Sequence, residues 1–306
     1  MNVALLHLDE ALTVQDRLRR VVREGGGRTV ECRDLGPALR LWSRPPALAQ
    51  LRHRLAMALP GGLGPLLVFC GSGDFHHVTP LLLERAIEAA GRPQVTVVHF
   101  DNHPDWVKFS PGAHCGSWVG HAARLPEVAK VITVGVCSDD IDRPRSRGAD
   151  LSVVDADKVE LYPYRAPAGA ATFSVCGRAW PSIESLGEPA FANLLASRIQ
   201  TDAVYITIDK DVLRAEDAGT NWDQGQTSFA FLKALIARVC AGRRVIGADV
   251  VGDWSKAAYG GGLVAWALKS GEALLDQPWR APPLALRAAN EDANLELLTL
   301  ITGAAA

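Results

Sequence analysis

No CxxC pair and no close-set cysteine framework occur in this chain. Its six cysteines, Cys32, Cys70, Cys115, Cys137, Cys176 and Cys240, are scattered. This excludes a small disulfide-stapled scaffold and suits reduced thiols in a cytoplasm. No apolar stretch reaches the roughly 20 residues that a membrane helix needs. The opening residues, Met1-Asn2-Val3-Ala4-Leu5-Leu6, run directly into a strand-like segment without a preceding basic stretch, so no signal peptide is expected. A long basic block is also missing, and the net charge is −2. Together these argue against a nucleic-acid or membrane surface and leave a small molecule as the expected partner. No internal repeat, low-complexity tract or linker interrupts residues 1–306, so one domain is expected. What is present is apolar bulk: 48% hydrophobic residues in 306 can bury a large core.

Strand-like and helix-like runs alternate. Strands are predicted at Asn2–Leu8, Arg28–Cys32, Leu66–Cys70, Val95–Phe100, Val131–Val136, Leu151–Asp155, Ala170–Val175, Ala203–Ile208 and Val245–Val251. Helices are predicted after Thr13, with Thr13 and Asp16 as a capping pair, and near 47–58, 77–90, 189–198, 228–241, 262–275 and 290–301. Asn290 is the expected N-cap of the last, whose leucines read as core packing. Continuously apolar strands separated by helices imply a three-layer α/β/α sandwich around a mostly parallel sheet. Ligands of such sheets sit beyond the carboxyl ends of the strands.

Polar clusters follow those ends repeatedly. Val95–Phe100 runs into Asp101-Asn102-His103-Pro104-Asp105. In an extended chain Asp101, His103 and Asp105 share one side. Carboxylates and imidazole at the end of a buried strand are costly unless neutralised, and a divalent cation does so. A polar loop is the plain alternative. Leu66–Cys70 is followed by Gly71-Ser72-Gly73-Asp74-Phe75-His76-His77, where the glycines permit a tight turn but no third glycine completes a dinucleotide fingerprint. Gly112-Ala113-His114-Cys115-Gly116 places a lone histidine in a loop, suited to proton transfer or simply solvated. Ile206-Thr207-Ile208 ends in Asp209-Lys210-Asp211, a carboxylate pair that repels itself without a cation between. Six of the eight histidines fall between His76 and His121. Four aspartates balance two divalent ions, and two such ions can share bridging carboxylates and lower the pKa of a water held between them.

These segments resemble the arginase/agmatinase ureohydrolases. Val98-His99-Phe100-Asp101-Asn102-His103-Pro104-Asp105 is similar to the family's VHFDAHxD, with Asn102 in place of alanine. Gly73-Asp74-Phe75-His76 is similar to GGDH, Ile208-Asp209-Lys210-Asp211 to S-x-D-x-D, and Gly247-Ala248-Asp249-Val250-Val251 to the late strand GxDxVE. Ala113-His114-Cys115-Gly116 resembles the loop with the family's second histidine. The resemblance implies an arginase-like sandwich with about eight strands. It implies a binuclear site held by His76, Asp101, His103, Asp105, Asp209 and Asp211, most often with manganese, while mixed O/N ligation also admits nickel, iron or zinc. It further implies hydrolysis of an amidine or guanidine carbon by an ionised bridging water, His114 and Asp105 as catalytic residues, and a trimer or hexamer.

The departures concern the substrate shell. Gly252 stands where the family has the glutamate that grips the guanidinium. Arg214 replaces a third aspartate, Gly112 stands where arginases read the substrate carboxylate, and Trp222-Asp223-Gln224 is new. Plain arginine or agmatine is therefore not the expected substrate. Thr220, Asp223 and Asp253 are candidate substrate contacts, the two aspartates being equally readable as solvated charges. Two other functions stay open: a metallohydrolase of another amide-like substrate, and a metal-binding member without catalysis. Trp106, Trp118, Trp222 and Trp254 are candidates for the pocket wall.

Overall fold

The computed structural model describes residues 1–278 and 281–304. Its centre is an eight-stranded parallel sheet. The strands are β1 (Asn2–His7), β2 (Arg28–Glu31), β3 (Leu66–Phe69), β4 (Val95–Phe100), β5 (Val128–Val136), β6 (Val159–Pro163), β7 (Ala203–Asp209) and β8 (Arg244–Val251). They lie in the order β2-β1-β3-β8-β7-β4-β5-β6. Every residue of β3, β4 and β7 is buried, as expected for strands covered on both faces by helices. The four central strands, β3, β8, β7 and β4, therefore bring their carboxyl ends side by side. That is where the histidine and aspartate segments leave the sheet.

Two predicted strands are placed differently. Leu151–Asp155 is not a strand: Ser152–Asp155 is a single helical turn, with Ser152 donating to Asp150 Oδ1 at 2.6 Å. Asp157, at φ +57°, then turns the chain into β6. β6 reads poorly as a strand because it contains Glu160. Burial of that carboxylate is offset by Lys130 Nζ at 2.6 Å, Arg198 Nε at 3.0 Å and the Tyr162 hydroxyl at 2.9 Å. The predicted strand at Ala170–Val175 lies outside the sheet. Thr172–Val175 pairs with Arg178–Pro181 as an antiparallel hairpin. Its two-residue turn, Cys176-Gly177, has φ +54° and +71°, the conformation that matches strand twist in tight hairpins.

Two helix caps also differ from the sequence reading. Gln15, not Thr13, precedes the helix Asp16–Glu24, and Thr13 donates back to Glu10. The free N–H groups of Arg17 and Leu18 are accepted instead by Glu291 Oε1, at 2.6 and 3.1 Å, from the other end of the chain. The last helix starts at Leu284, six residues before Asn290. Asn290 is thus buried within it, accepting from Gly219 N at 3.1 Å and donating to Gly219 O at 2.7 Å. This clamp holds the loop that carries Trp222 and Asp223. Leu297 and Ile301 of the same helix are fully buried in the core. No described helix is long and apolar enough to cross a membrane.

Candidate metal centre

The strand-end segments converge on one buried cluster. His76 sits on the short 3-10 turn Gly73–Val78 after β3, which Ser72 caps by accepting from Asp74 N. Buried Arg40 anchors the turn, bonding Asp74 Oδ2 and Asp9 Oδ2 at 2.6 Å each. His76 Nε2 lies 2.9 Å from Thr207 Oγ1, whose hydroxyl donates to Asp249 Oδ1 at 2.8 Å. The threonine oxygen must therefore accept, so His76 carries its proton on Nε2. Its Nδ1 then faces three carboxylates: Asp101 at 3.0 Å, Asp105 at 3.1 Å and Asp209 at 3.7 Å. This buried nitrogen has no geometrically acceptable hydrogen bond.

Asp101 joins two halves of the cluster. Its Oδ2 faces His76, while its Oδ1 accepts the His103 N–H at 2.6 Å and lies 3.5 Å from His103 Nδ1. His103 Nδ1 is also 3.0 Å from Asp211 Oδ2. Donor atoms of His76, His99, Asp101 and Asp105 form one group within 4.8 Å of one another, and those of Asp101, His103 and Asp211 form a second. The strand ends at Phe100, so a turn, not strand alternation, produces this convergence. Asp105 closes the turn at φ +48° and accepts from Trp118 Nε1 at 2.6 Å. Asp209 is clasped between Gly73 and Gly252, where a Cβ on either glycine would overlap its carboxylate.

The electrostatics of these residues call for added positive charge. Burial, aided by the Asp101 charge, pushes Asp209 up to about 7. Burial and the charges of Asp209 and Asp101 hold Asp211 well above the usual carboxylate range. Burial opposes charge on Asp101 too, but His99, His103 and His76 overcome it and hold this carboxylate low. His76 and His103 resist charging through burial, yet Asp101 and Asp105 raise the first and Asp211 and Asp101 raise the second. Without a cation the cluster must retain protons. Divalent ions answer both the charge and the orphaned Nδ1, and the oxygen and imidazole donors suit them. The residues present fit a binuclear site.

His99 escaped the sequence reading of ligands. Its Nε2 is 2.8 Å from Asp101 Oδ2, and its Nδ1 is 3.1 Å from Thr133 Oγ1. The alternation that grouped 101 with 103 and 105 extends back to 99, so the signal was available. Glu272 was also missed. It comes from the helix Leu263–Asp276, far along the chain, and no local motif marks it. Its Oε1 is 2.6 Å from His114 Nε2, and its Oε2 accepts from Trp42 Nε1 at 3.1 Å. His114 Nδ1 accepts the Gly116 N–H at 2.9 Å, which places the histidine proton on Nε2, towards Glu272.

A cavity of about 810 Å³ opens onto the cluster, with His114, Trp222, Asp223 and Glu272 in its wall. Of the candidate substrate contacts, Asp223 lines this cavity, whereas Thr220 and Asp253 do not. Thr220 is turned into its own loop, donating to Trp222 O at 2.8 Å. Asp253 is buried and ion-paired with buried Lys210, and Asn294 Nδ2 donates to it at 3.1 Å. It is therefore neither a pocket residue nor a solvated charge. The tryptophans divide similarly. Trp222 lines the cavity, Trp118 supports Asp105 from behind, Trp106 packs in the core near Phe173, and Trp254 stacks under Arg287.

Comparison with known proteins places this arrangement. An uncharacterized protein of Thermotoga maritima is 28% identical over 196 residues, covering 64% of this chain. The chain spans 60% of the length of that curated relative. Arginase from Bacillus cereus superposes with a TM-score of 0.57 at 13% identity, over 100% of this chain and 98% of that one. Formimidoylglutamase from Bacillus subtilis gives 0.55 at 13% identity, over 98% and 86%. At such identities these likenesses speak for the fold. The arginase family, however, matches residues 26–252, most of the chain. This protein belongs to the arginase family.

Proposed function

We propose that the protein is a ureohydrolase that cleaves a C–N bond of a guanidino or amidino compound other than plain arginine or agmatine. One observation carries the reading: the Asp101 carboxylate turns one oxygen to His76 and the other to His103, as a bridging ligand would. His76, Asp101, Asp105 and Asp209 would hold one divalent ion, and Asp101, His103 and Asp211 the second, with manganese the first choice. When bound, such a pair makes a solvent molecule nucleophilic near neutral pH.

The chain's own residues do the rest. His114 sits in the cavity wall with Nε2 against Glu272, and the imidazole and carboxylate together can carry a proton to a departing nitrogen. Trp118 and the buried strand ends close in the aspartates from behind, so that they meet solvent only from the cavity side. The cavity wall carries Asp139, Asp140, Asp223, Glu272 and Asp276, and its one described arginine, Arg147, is bonded to Asp139. Such a wall suits a cationic amidinium and disfavours a substrate carboxylate. Gly252 offers no carboxylate, and the Asp209 side chain fills the space its Cβ would need.

The test is a panel of guanidino and amidino compounds assayed for urea or ammonia release with manganese. Turnover of an unusual member above arginine and agmatine is expected, and fast arginine or agmatine turnover overturns the substrate reading. His114→Asn should lower turnover by about 10²–10⁴-fold, the usual weight of a general acid. Its manganese content should be unchanged, and equal loss of both would make His114 structural.

A further inference from the structure

Asn102 and Asp223 depart from the family pattern at two distant points of the sequence, and in the fold they meet. Asn102 is fully buried at the end of β4. Its Nδ2 donates to Asp223 Oδ2 at 2.9 Å and to Asp223 O at 3.0 Å, while its Oδ1 accepts from Cys137 N at 3.1 Å. The amide is thus fully committed and pins the loop bearing Asp223 onto the strand end. The other oxygen, Asp223 Oδ1, lies 3.0 Å from His103 Nε2. The indole of Trp222 meets the same imidazole edge-on at 5.5 Å.

We infer that Asp223 is a positioning residue for His103, held in place by Asn102, and that the pair fixes the imidazole so that Nδ1 points into the metal centre. The inference rests on the binuclear reading above. It is supported by the way the other histidine of the centre is built. His76 also turns Nδ1 to the carboxylates and commits Nε2 to an aspartate, in its case through Thr207 to Asp249. The two histidines therefore have the same tautomer imposed by different means, a relay within the sheet and a clamp from a loop. A histidine ligand whose far nitrogen is held by a carboxylate is oriented and made more basic, and loss of that partner typically weakens metal binding by about 10–100-fold. On this account the Asp223 carboxylate, although it borders the cavity, serves first to hold His103, one oxygen turned to Asn102 and the other to the imidazole.

The experiment is calorimetric titration of Mn²⁺ into metal-stripped full-length protein. The wild type should show two binding steps. Asp223→Asn should weaken one step by about 10–100-fold and leave the other within a few-fold. Asn102→Ala, which keeps the carboxylate but unpins it, should give a smaller loss on the same step and guards against misfolding of the first variant. Thr207→Val should act on the opposite step. If wild-type protein binds two ions and both Asp223→Asn and Asn102→Ala match it, the positioning role fails while the metal centre stands. The role also fails if Asp223→Asn changes only KM, which would return Asp223 to the substrate. If wild-type protein takes up no Mn²⁺, the binuclear reading fails and this role with it.

Discussion

Replacing Gly252 with alanine should damage the protein in two separable ways. The residue has φ +94°, a region that costs an L-residue about 1–2 kcal/mol. Its added methyl would also overlap the Asp209 carboxylate and the Lys210 backbone nitrogen, neither of which is a flexible side-chain tip. Overpacking of this kind costs about 1–3 kcal/mol. The sum is about 2–5 kcal/mol. For a chain of 306 residues each kcal/mol moves the melting temperature by about 1.5 °C, so a drop of about 3–8 °C is expected. Gly262→Ala is the control: it shares the backbone strain, at φ +98°, with nothing within 4 Å of its Cβ. That variant should lose only about 1.5–3 °C. Melting of both metal-free variants isolates the overlap. Titration with Mn²⁺ then reads the second effect, because only Gly252→Ala displaces a carboxylate proposed to hold the metal. If the two variants melt together and bind Mn²⁺ alike, the clasp around Asp209 is not what the geometry says.

Manganese affinity should rise with pH. A carboxyl group with a raised pKa stays protonated up to that pH, and a histidine with a raised pKa stays cationic, so both exclude a cation until they release protons. With Asp209 near 7, and Asp211, His76 and His103 also raised, uptake should release protons and strengthen most steeply between about pH 6 and 8. Calorimetry in buffers of different ionisation enthalpy measures this, and a flat profile would contradict the charge argument. Asp253→Asn should act on stability, because it leaves the Lys210 ammonium buried without a counter-charge, with the Asn294 amide oxygen as its remaining acceptor, a loss of about 3–5 kcal/mol. Urea unfolding measures that loss. An unchanged midpoint together with a raised KM would instead place Asp253 on the substrate.

The central strands were legible because they are short, largely apolar and bounded by turn residues. Burial on both faces writes itself into composition. β6 was not legible: Glu160 breaks its apolar run, and only Tyr162 of the same strand together with Lys130 and Arg198 from other elements makes burial of that carboxylate tolerable. Asn290 misled in the same manner. An asparagine before an apolar run looks like a helix cap, yet this one is committed to Gly219, 71 residues away in the chain.

The carboxylates of the centre, with His103, stood out in the sequence because a carboxylate at the end of a buried strand is too costly to lie there without a counter-charge, whereas His76 came with the family resemblance and His99 was missed. The sequence also marked Asn102, Gly252 and Trp222-Asp223-Gln224 as departures. It could not say what each departure does. Only the folded chain brings Asn102 to Asp223 and Asp223 to His103, pairs Asp253 with Lys210, sets Glu272 against His114, and leaves Gly252 no room for a side chain. Local pattern reports how each residue relates to its own strand or turn. Which distant partner neutralises, orients or crowds it depends on the order in which the strands lie side by side.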